Sequence, residues 1–197
     1  MNDPSASDHG SVNVAIVYFS GGGTTTRIAE EIVAGVKASG ATAHLIPIIG
    51  ADITEGRWAN DGIAEQLDKC DGIIFGSPTY MGSVSGQMKS FMDAMAPRWF
   101  TGAWKDKVAS AFTASSLSSG DKFNAFTGFS VFAMQMGMIW CGTAANLTTG
   151  LNPNGFYFGT GAVASTPEQI TEVDLKSAHA QGIRVARLSI TLAGRSD

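Results

Sequence analysis

The chain has 197 residues, of which 44% are hydrophobic and 15% are charged. This composition favours one domain with a sizeable core and excludes a largely disordered protein. A net charge of −4, without a cluster of basic and aromatic residues, argues against nucleic acid as a partner. The most apolar stretch, 129–140, is interrupted by polar residues and too short to span a membrane. We predict a flexible tail over residues 1–11 and a single domain over residues 12–197.

The cysteines and histidines give no sign of a redox pair or a metal site. Cys70 and Cys141 are far apart and lie beside apolar runs, which is typical of buried, reduced thiols in a cytoplasmic protein. The three histidines, at positions 9, 44 and 179, are scattered along the chain. We therefore predict no bound metal.

Apolar patterning predicts five strands that alternate with helices. The strands are expected over residues 12–19, 43–49, 72–76, 107–114 and 138–141, and the helices over residues 26–39, 62–67, 86–95, 121–135 and 167–192. Segment 142–166 is predicted to be a long loop, and the small residues of the last helix are expected to let it lie close to the sheet. The alternation favours an α/β fold with a five-stranded parallel sheet and helices on both faces. Ligands of such sheets bind beyond the carboxyl ends of the strands, here the ends of strands one, three and four.

The loop after the first strand has the composition of a phosphate-binding loop. Its residues are Ser20, Gly21, Gly22, Gly23, Thr24 and Thr25, followed by Thr26 at the start of a helix. Glycines let backbone N–H groups turn towards a phosphate, and the helix N-terminus adds further donors. The loop has no Lys and no Gly-x-Gly-x-x-Gly pattern, so a nucleoside triphosphate or a dinucleotide is disfavoured. A tightly bound monophosphate is predicted, with a plain turn capped by Thr as the alternative.

The loops after the third and fourth strands have residues suited to a flat, polar ring. The second loop contains Pro78, Thr79, Tyr80, Met81 and Gly82, and the third contains Ser115, Ser116, Leu117, Ser119 and Gly120. Proline stiffens the second loop, and Tyr80 and Met81 offer flat and polarisable surface. The hydroxyl groups of the third loop suit hydrogen bonds to a ligand, although a generic Ser-rich turn has the same composition.

These segments resemble the flavodoxin-like NAD(P)H:quinone oxidoreductases of the WrbA type over roughly residues 12–192. The most specific match is SPTYMGSVSGQMKSFMD, beside the family's Pro-Thr-x-x-Gly-x-x-x-Gly-Gln-Met-Lys segment. The stretches YFSGGGTTTRIAEEI, RWFTGAWKDKVAS and DLKSAHAQGIRVARL resemble its phosphate loop, its Trp-containing segment and its C-terminal helix. The resemblance implies a flavodoxin-like fold that binds FMN through three sets of loop residues: Ser20 to Thr25, Pro78 to Gly82, and Ser115, Ser116, Leu117 and Gly120.

The resemblance also implies an activity and an assembly. The family uses NADH or NADPH to reduce a quinone by two electrons in a ping-pong cycle, with the flavin rather than a side chain doing the chemistry. It forms homodimers or homotetramers, in which the Trp matching Trp99 lines the flavin site of a neighbouring chain. Ser119 stands where the family usually has a His in the substrate pocket.

Three other functions stay open at this point. A flavodoxin-type carrier would pass single electrons to a protein partner, although the mild charge of this chain disfavours it. A reductase of an azo compound, a nitro compound or free flavin would use the same cofactor. A flavin-free interaction protein is disfavoured by the three intact loops.

Overall fold

The computed structural model describes residues 11–146 and 148–194, so most of the predicted tail lies outside the described residues. The strands are β1 Asn13–Tyr18, β2 Thr42–Pro47, β3 Ile53–Thr54, β4 Arg57–Trp58, β5 Gly72–Tyr80, β6 Ser83–Val84, β7 Val108–Ser115, β8 Ile139–Trp140 and β9 Thr160–Val163. The helices are α1 Thr24–Ala38, α2 Asp61–Asp68, α3 Gly86–Ala94, α4 Ala96–Thr101, α5 Lys122–Gln135 and α6 Glu172–Ala193. Short 3₁₀ turns lie at Gly50–Asp52 and Pro167–Gln169.

The main sheet is parallel, with the order β2-β1-β5-β7 followed by β8 and β9. Both β8 and β9 pair in parallel with β7, β8 near its beginning and β9 near its end. The predicted α/β fold is therefore confirmed. The sheet has the five predicted strand positions, but the fifth position does not hold one continuous strand. The fifth position is filled by two short strands because the chain leaves the sheet after Trp140 and returns at Thr160.

The return strand β9 was missed by the sequence analysis, which placed it inside a long loop. Its residues, Thr160–Val163, are mostly small and resemble the Gly- and Thr-rich segment around them. Three of the four are buried against β7. Pairing with a central strand, rather than local propensity, makes this segment extended.

Strand β5 is longer than predicted, because Pro78, Thr79 and Tyr80 belong to it rather than to a loop. The register with β7 continues to Pro78, opposite Ala114. On its other side, β5 pairs with β1 only as far as Gly76. Proline lacks an N–H group, and it is tolerated here because β1 has already ended on that side.

The hydrophobic core lies in two layers, one on each face of the sheet. One face of the sheet packs on α1 and α6 through Ile28, Ile32, Val36, Ala178 and Val185. The other face packs on α2, α3 and α5 through residues such as Leu67, Phe91 and Phe129. Helices on both faces are therefore confirmed, and the continuous apolar strands follow from burial on both sides.

The small residues of α6 allow it to pack closely on α1 as well as on the sheet. A methyl group at Gly182 would lie 2.2 Å from the carbonyl oxygen of Ile32 in α1, and one at Gly35 would lie 2.0 Å from that of His179. The two glycines thus allow α1 and α6 to touch backbone to backbone. Helix α6 also begins later than predicted, after a capping box at Thr171, while Pro167 opens a separate 3₁₀ turn.

Candidate functional site

The carboxyl ends of β1, β5 and β7 lie side by side and bring the three predicted loops together. Tyr18 pairs with Gly76, and the N–H of Phe19 donates to the carbonyl of Gly76 at 3.0 Å. The ends of β5 and β7 are joined by the Thr113 hydroxyl, which donates to the carbonyl of Ser77 at 2.7 Å and lies 2.7 Å from the Thr79 hydroxyl. The switch in strand order falls between β1 and β5, where such folds bind ligands.

The first loop is organised around two hydroxyl groups. Ser20 Oγ accepts hydrogen bonds from the N–H groups of Gly23 and Thr26, at 3.1 and 3.3 Å. Thr25 is buried, and its Oγ1 has no hydrogen-bond partner among the described residues. A buried hydroxyl without a partner is costly. Thr25 lies in the first turn of α1, where the first N–H groups have no acceptor within the helix itself, and an anion bound there would satisfy its hydroxyl.

The second loop is a tight hairpin turn that touches the first loop. Thr79 and Tyr80 pair with Val84 and Ser83, so that only Met81 and Gly82 connect the strands. Both turn residues have a positive φ, 47° for Met81 and 73° for Gly82, as a type I′ turn requires. Met81 is fully exposed. An apolar residue held exposed in the left-handed region is typical of a functional site.

Two close approaches join the loops. A methyl group at Gly21 would lie 2.6 Å from the Tyr80 hydroxyl oxygen, so the phosphate loop lies directly against the second loop. The side-chain amide of Asn124 donates to the carbonyl of Gly82 at 2.8 Å and ties the second loop to α5. The three loops therefore form one surface.

The third loop is built on a buried lysine that the sequence analysis did not single out. Lys122 is fully buried, and its Nζ donates to Ser115 Oγ at 2.8 Å, to the Leu117 carbonyl at 2.5 Å and to the Ser118 carbonyl at 3.0 Å. The ammonium group also lies over the aromatic ring of Phe156, whose centroid is 5.5 Å from Nζ. The sequence did contain a signal for this residue, because a Lys in the first turn of a helix is disfavoured by the positive end of the helix dipole.

A fourth segment was also missed. The N–H of Ala164 donates to the carbonyl of Ser115 at 3.0 Å, so the chain beyond β9 runs beside the third loop. A methyl group at Gly23 would lie 3.1 Å from Pro167. Residues 164–167 thus lie beside both the phosphate loop and the third loop.

The two predicted substrate-pocket residues lie in different places. Ser119 is exposed on the third loop, next to the other site residues. Trp99 lies on α4, and the neighbouring Arg98 pairs with Asp68 just before β5 begins. This is the amino end of the sheet, so the structure does not bring Trp99 to the three loops of its own chain.

The chemistry of these loops fits FMN. The first loop offers a phosphate the N-terminus of helix α1 and the Thr25 hydroxyl, which has no partner among the described residues. The third loop offers exposed serines, and Tyr80, Met81 and Leu117 offer exposed apolar surface to a flat ring. The sheet order and these loops together define a flavodoxin-like protein that binds a flavin mononucleotide.

The chain belongs to the family of NADPH-dependent FMN reductases, which it matches over residues 12–150. It is 36% identical to "Flavodoxin FldP" of Pseudomonas aeruginosa, over 88% of this chain and 94% of that protein. It is 32% identical to an "NAD(P)H dehydrogenase (quinone)" of Geobacter sulfurreducens, over 93% of this chain and all of that protein. A WrbA-like flavodoxin structure from Agrobacterium tumefaciens superposes with a TM-score of 0.73 at 36% identity, covering 92% and 99% of the two chains.

These comparisons confirm the flavodoxin-like fold, the family, FMN as cofactor and NAD(P)H-dependent oxidoreductase chemistry. Both cysteines are free and buried, as predicted. Within residues 11–146 and 148–194, no helix has the length and apolar character needed to cross a membrane.

Proposed function

We propose that the chain holds FMN on the three loops and uses it to transfer a hydride from NADH or NADPH to a quinone or a similar small acceptor. The observation that carries the proposal is the junction of β1, β5 and β7. There the buried Thr25 hydroxyl, which has no partner within residues 11–146 and 148–194, lies in the first of three adjoining loops rich in donors. Bound FMN would supply the two-electron chemistry in two independent half-reactions. The side chains and backbone of the loops bind and orient it.

Each loop has a distinct role in this proposal. Ser20 to Thr25 hold the phosphate, with Thr25 Oγ1 donating to it. Pro78 to Gly82 contact the edge of the ring, and Ser115, Ser116, Leu117 and Gly120 face the ribityl chain and the pyrimidine end. Backbone N–H groups near Tyr80 and Ser116 would stabilise negative charge on the reduced ring.

The exposed residues around the loops favour a small aromatic acceptor. Tyr80, Met81 and Leu117 are all exposed and apolar in large part. A quinone or a nicotinamide stacks on such surfaces, since both are flat rings. Ser119, in place of the His usual in the WrbA type, leaves more room and removes a titratable group from this side of the pocket.

The assembly proposed is a homodimer or homotetramer in which Trp99 completes the site of another chain. Trp99 and Phe100 are 43% and 78% exposed and lie against each other, with ring centroids 4.6 Å apart. Trp104, the third aromatic of this segment, is fully buried instead. Trp99 also lines a groove between α3 and α5 whose walls include Met92, Val131 and Phe132. Aromatics exposed beside an apolar groove are typical of an interface.

Two further parts of the proposal concern the whole protein. A cytoplasmic location is supported by the free, buried thiols of Cys70 and Cys141. A single domain over residues 12–197 is supported by the one main sheet that both core layers share.

The alternative is a one-electron carrier, which the name of the flavodoxin relative favours. A carrier docks on a protein partner, whereas the proposal uses the exposed Tyr80, Met81 and Leu117 as a stacking surface for a small flat molecule. Reduction of an azo compound, a nitro compound or free flavin differs from the proposal only in the acceptor.

A spectroscopic titration tests the proposal. The purified protein is freed of cofactor, and FMN or riboflavin is added while flavin fluorescence is followed. We expect tight binding of FMN and far weaker binding of riboflavin, because riboflavin lacks the phosphate. The FMN-loaded protein is then mixed with NADH or NADPH, with and without benzoquinone. Reduction by NAD(P)H and reoxidation by quinone in a second, independent step support the enzyme. Equal affinity for the two flavins, or electron transfer only to a protein partner, would overturn the proposal.

A further inference from the structure

Lys122 occupies an unfavourable place for a cation. It is the first residue of α5, where the helix dipole is positive, and it is fully buried. No carboxylate lies within 4.0 Å of its Nζ in the part of the chain that the structure describes. Burial accordingly lowers the pKa of Lys122 below its ordinary value. Buried charges are normally paired, so a lysine that has only neutral acceptors calls for an explanation.

The neutral acceptors show what Lys122 does to the third loop. Its ammonium group draws the carbonyls of Leu117 and Ser118 into the protein, together with Ser115 Oγ. In the described parts of the chain, none of the N–H groups of residues 116–119 donates to a protein acceptor. A peptide unit whose carbonyl is held on one side presents its N–H on the other. The loop is thereby held with its donors available to a ligand.

Two left-handed residues complete this arrangement. Gly120 and Asp121 have φ values of 53° and 52° and reverse the chain between the loop and α5. A methyl group at Gly120 would lie 2.3 Å from Ser115 Oγ, one of the acceptors of Lys122. The turn is therefore closed tightly over the ammonium group, with Phe156 on a further side.

We propose that Lys122 is a positioning residue for the flavin ring. Lys122 holds the third loop with the N–H groups of the loop turned to the ring, and its unpaired positive charge favours the anionic, reduced ring over the oxidised one. The proposal rests on the proposed FMN site. Two-electron reduction adds negative charge to the pyrimidine end of a flavin, and fixed donors and cations near that end tune its potential.

Three variants separate positioning, charge and stability. Lys122→Met removes both the hydrogen bonds and the charge, whereas Lys122→Gln removes the charge but keeps two N–H donors on a slightly shorter side chain. Lys107→Met is the matched control, because Lys107 also donates to two backbone carbonyls, those of Asp68 and Cys70, but lies at the amino end of β7. The measurements are the dissociation constants of oxidised and dithionite-reduced FMN and the midpoint potential of the bound flavin.

For Lys122→Met we expect oxidised FMN to bind about tenfold more weakly and reduced FMN to lose a further factor of about ten. That second factor equals a fall of about 30 mV in the two-electron potential. Lys122→Gln is expected to bind oxidised FMN nearly as well as the parent protein and to show a similar fall in potential. Lys107→Met is expected to lower the thermal unfolding temperature and to leave both dissociation constants unchanged.

An equal loss for both oxidation states in Lys122→Met, or no loss, would overturn the proposal, since a merely structural residue would not discriminate between them. If Lys122→Met does not fold, Lys122→Gln decides through the potential alone, and an unchanged potential overturns the proposal. Failure of the FMN site itself is distinguishable, because the parent protein would then bind FMN no better than riboflavin.

Discussion

The two ends of the sheet differ in whether a carboxylate lies near a buried or half-buried lysine. At the amino end, Lys107 belongs to a group centred on Asp68, which we call the Asp68 cluster. The Asp68 carboxylate accepts from Trp104 Nε1 at 2.8 Å and from Arg98 Nε at 3.4 Å, while its carbonyl accepts from Lys107 at 2.8 Å. Burial lowers the pKa of Lys107, and the carboxylates of Asp71 and Asp68 counteract this.

At the carboxyl end, the same kinds of group are left without compensation. Among the residues that the structure describes, no carboxylate pairs with Lys122 and no group hydrogen-bonds to Thr25 Oγ1, and Met81 is held at positive φ. The two ends therefore differ in how they compensate a buried lysine. Unpartnered buried groups are not confined to the carboxyl end, since Ser189 Oγ, beside Gly72 at the start of β5, also has no partner among the described residues. Thr25 Oγ1 differs from the other unpartnered groups in its place, because it lies in the first turn of α1 at the switch in strand order, where a ligand can satisfy it.

The largest expected effect is on the reactivity of the buried Cys70 thiol, at the amino end of the sheet. Burial raises the pKa of the Cys70 thiol to about 11, with Asp71 adding to the increase and Lys107 opposing it. At pH 8 roughly one thiol in a thousand is then ionised, and only the thiolate reacts. Native protein is expected to react with DTNB far more slowly than urea-unfolded protein.

The same shift makes stability depend on pH. The folded state holds the thiol proton more tightly than the unfolded state, whose thiol has the ordinary pKa of 9.0. The free energy of unfolding is therefore expected to fall as the pH rises from about 9 towards 11. Rapid modification of Cys70 at pH 8 in the native state would contradict a closed amino end.

The next effect is at Thr25. Thr25→Val keeps the shape and removes the hydroxyl, which as a donor to a phosphate is worth roughly 1.5–3 kcal/mol. FMN affinity is expected to fall about ten- to a hundredfold, while the cofactor-free protein keeps or gains stability because an unpartnered hydroxyl is lost. Fluorescence titration and urea unfolding measure the two quantities.

A neighbouring threonine provides the control for that variant. The Thr113 hydroxyl is satisfied by Ser77 and Thr79, so Thr113→Val is expected to destabilise the cofactor-free protein. If Thr25→Val destabilised it as much, without changing the dissociation constant of FMN, Thr25 would belong to the fold and not to the phosphate site.

A smaller effect is expected from Asp68, on stability alone. Asp68→Ala leaves the indole N–H of the fully buried Trp104 without its acceptor, which costs about 1–3 kcal/mol. Asp68→Asn retains an acceptor and is expected to recover most of that loss. The dissociation constant of FMN is expected to be the same in both variants, and a tenfold change would show that the two ends are coupled.

The smallest effect is at the hairpin turn. Met81→Asn places a residue that tolerates positive φ at the first position of a type I′ turn, and a gain of at most about 1 kcal/mol in stability is expected. The exposed apolar surface beside the ring is lost, so KM for quinone is expected to rise. An unchanged KM would remove Met81 from the acceptor pocket.

The sequence predicted the parts of the molecule that depend on local pattern. The continuous apolar runs of β1 and β5 and the stripe of Ile28, Ile32 and Val36 in α1 identified the sheet and its first helix. The cluster of Gly and Thr at the first strand end predicts a phosphate-binding loop, because that chemistry is local in sequence.

The parts that were missed depend on contacts across the chain. Strand β9 becomes extended only by pairing with β7, and Pro78 enters a strand only because β1 stops short. Lys122 binds the carbonyls of Leu117 and Ser118 because a turn brings them close to its ammonium group. A hydrophobic periodicity does not predict such a contact. Trp99 and Trp104 lie in one short aromatic segment, and only the fold separates the exposed ring from the buried one.

Hydrogen–deuterium exchange with and without FMN tests the central claim most directly, because it reports on both ends of the sheet in one experiment. We expect FMN to protect the backbone amides of residues 20–26, 79–84 and 115–121 and to leave those around Asp68 and Lys107 unchanged. Protection centred on the Asp68 cluster, or none in the three loops at saturating FMN, would contradict the account.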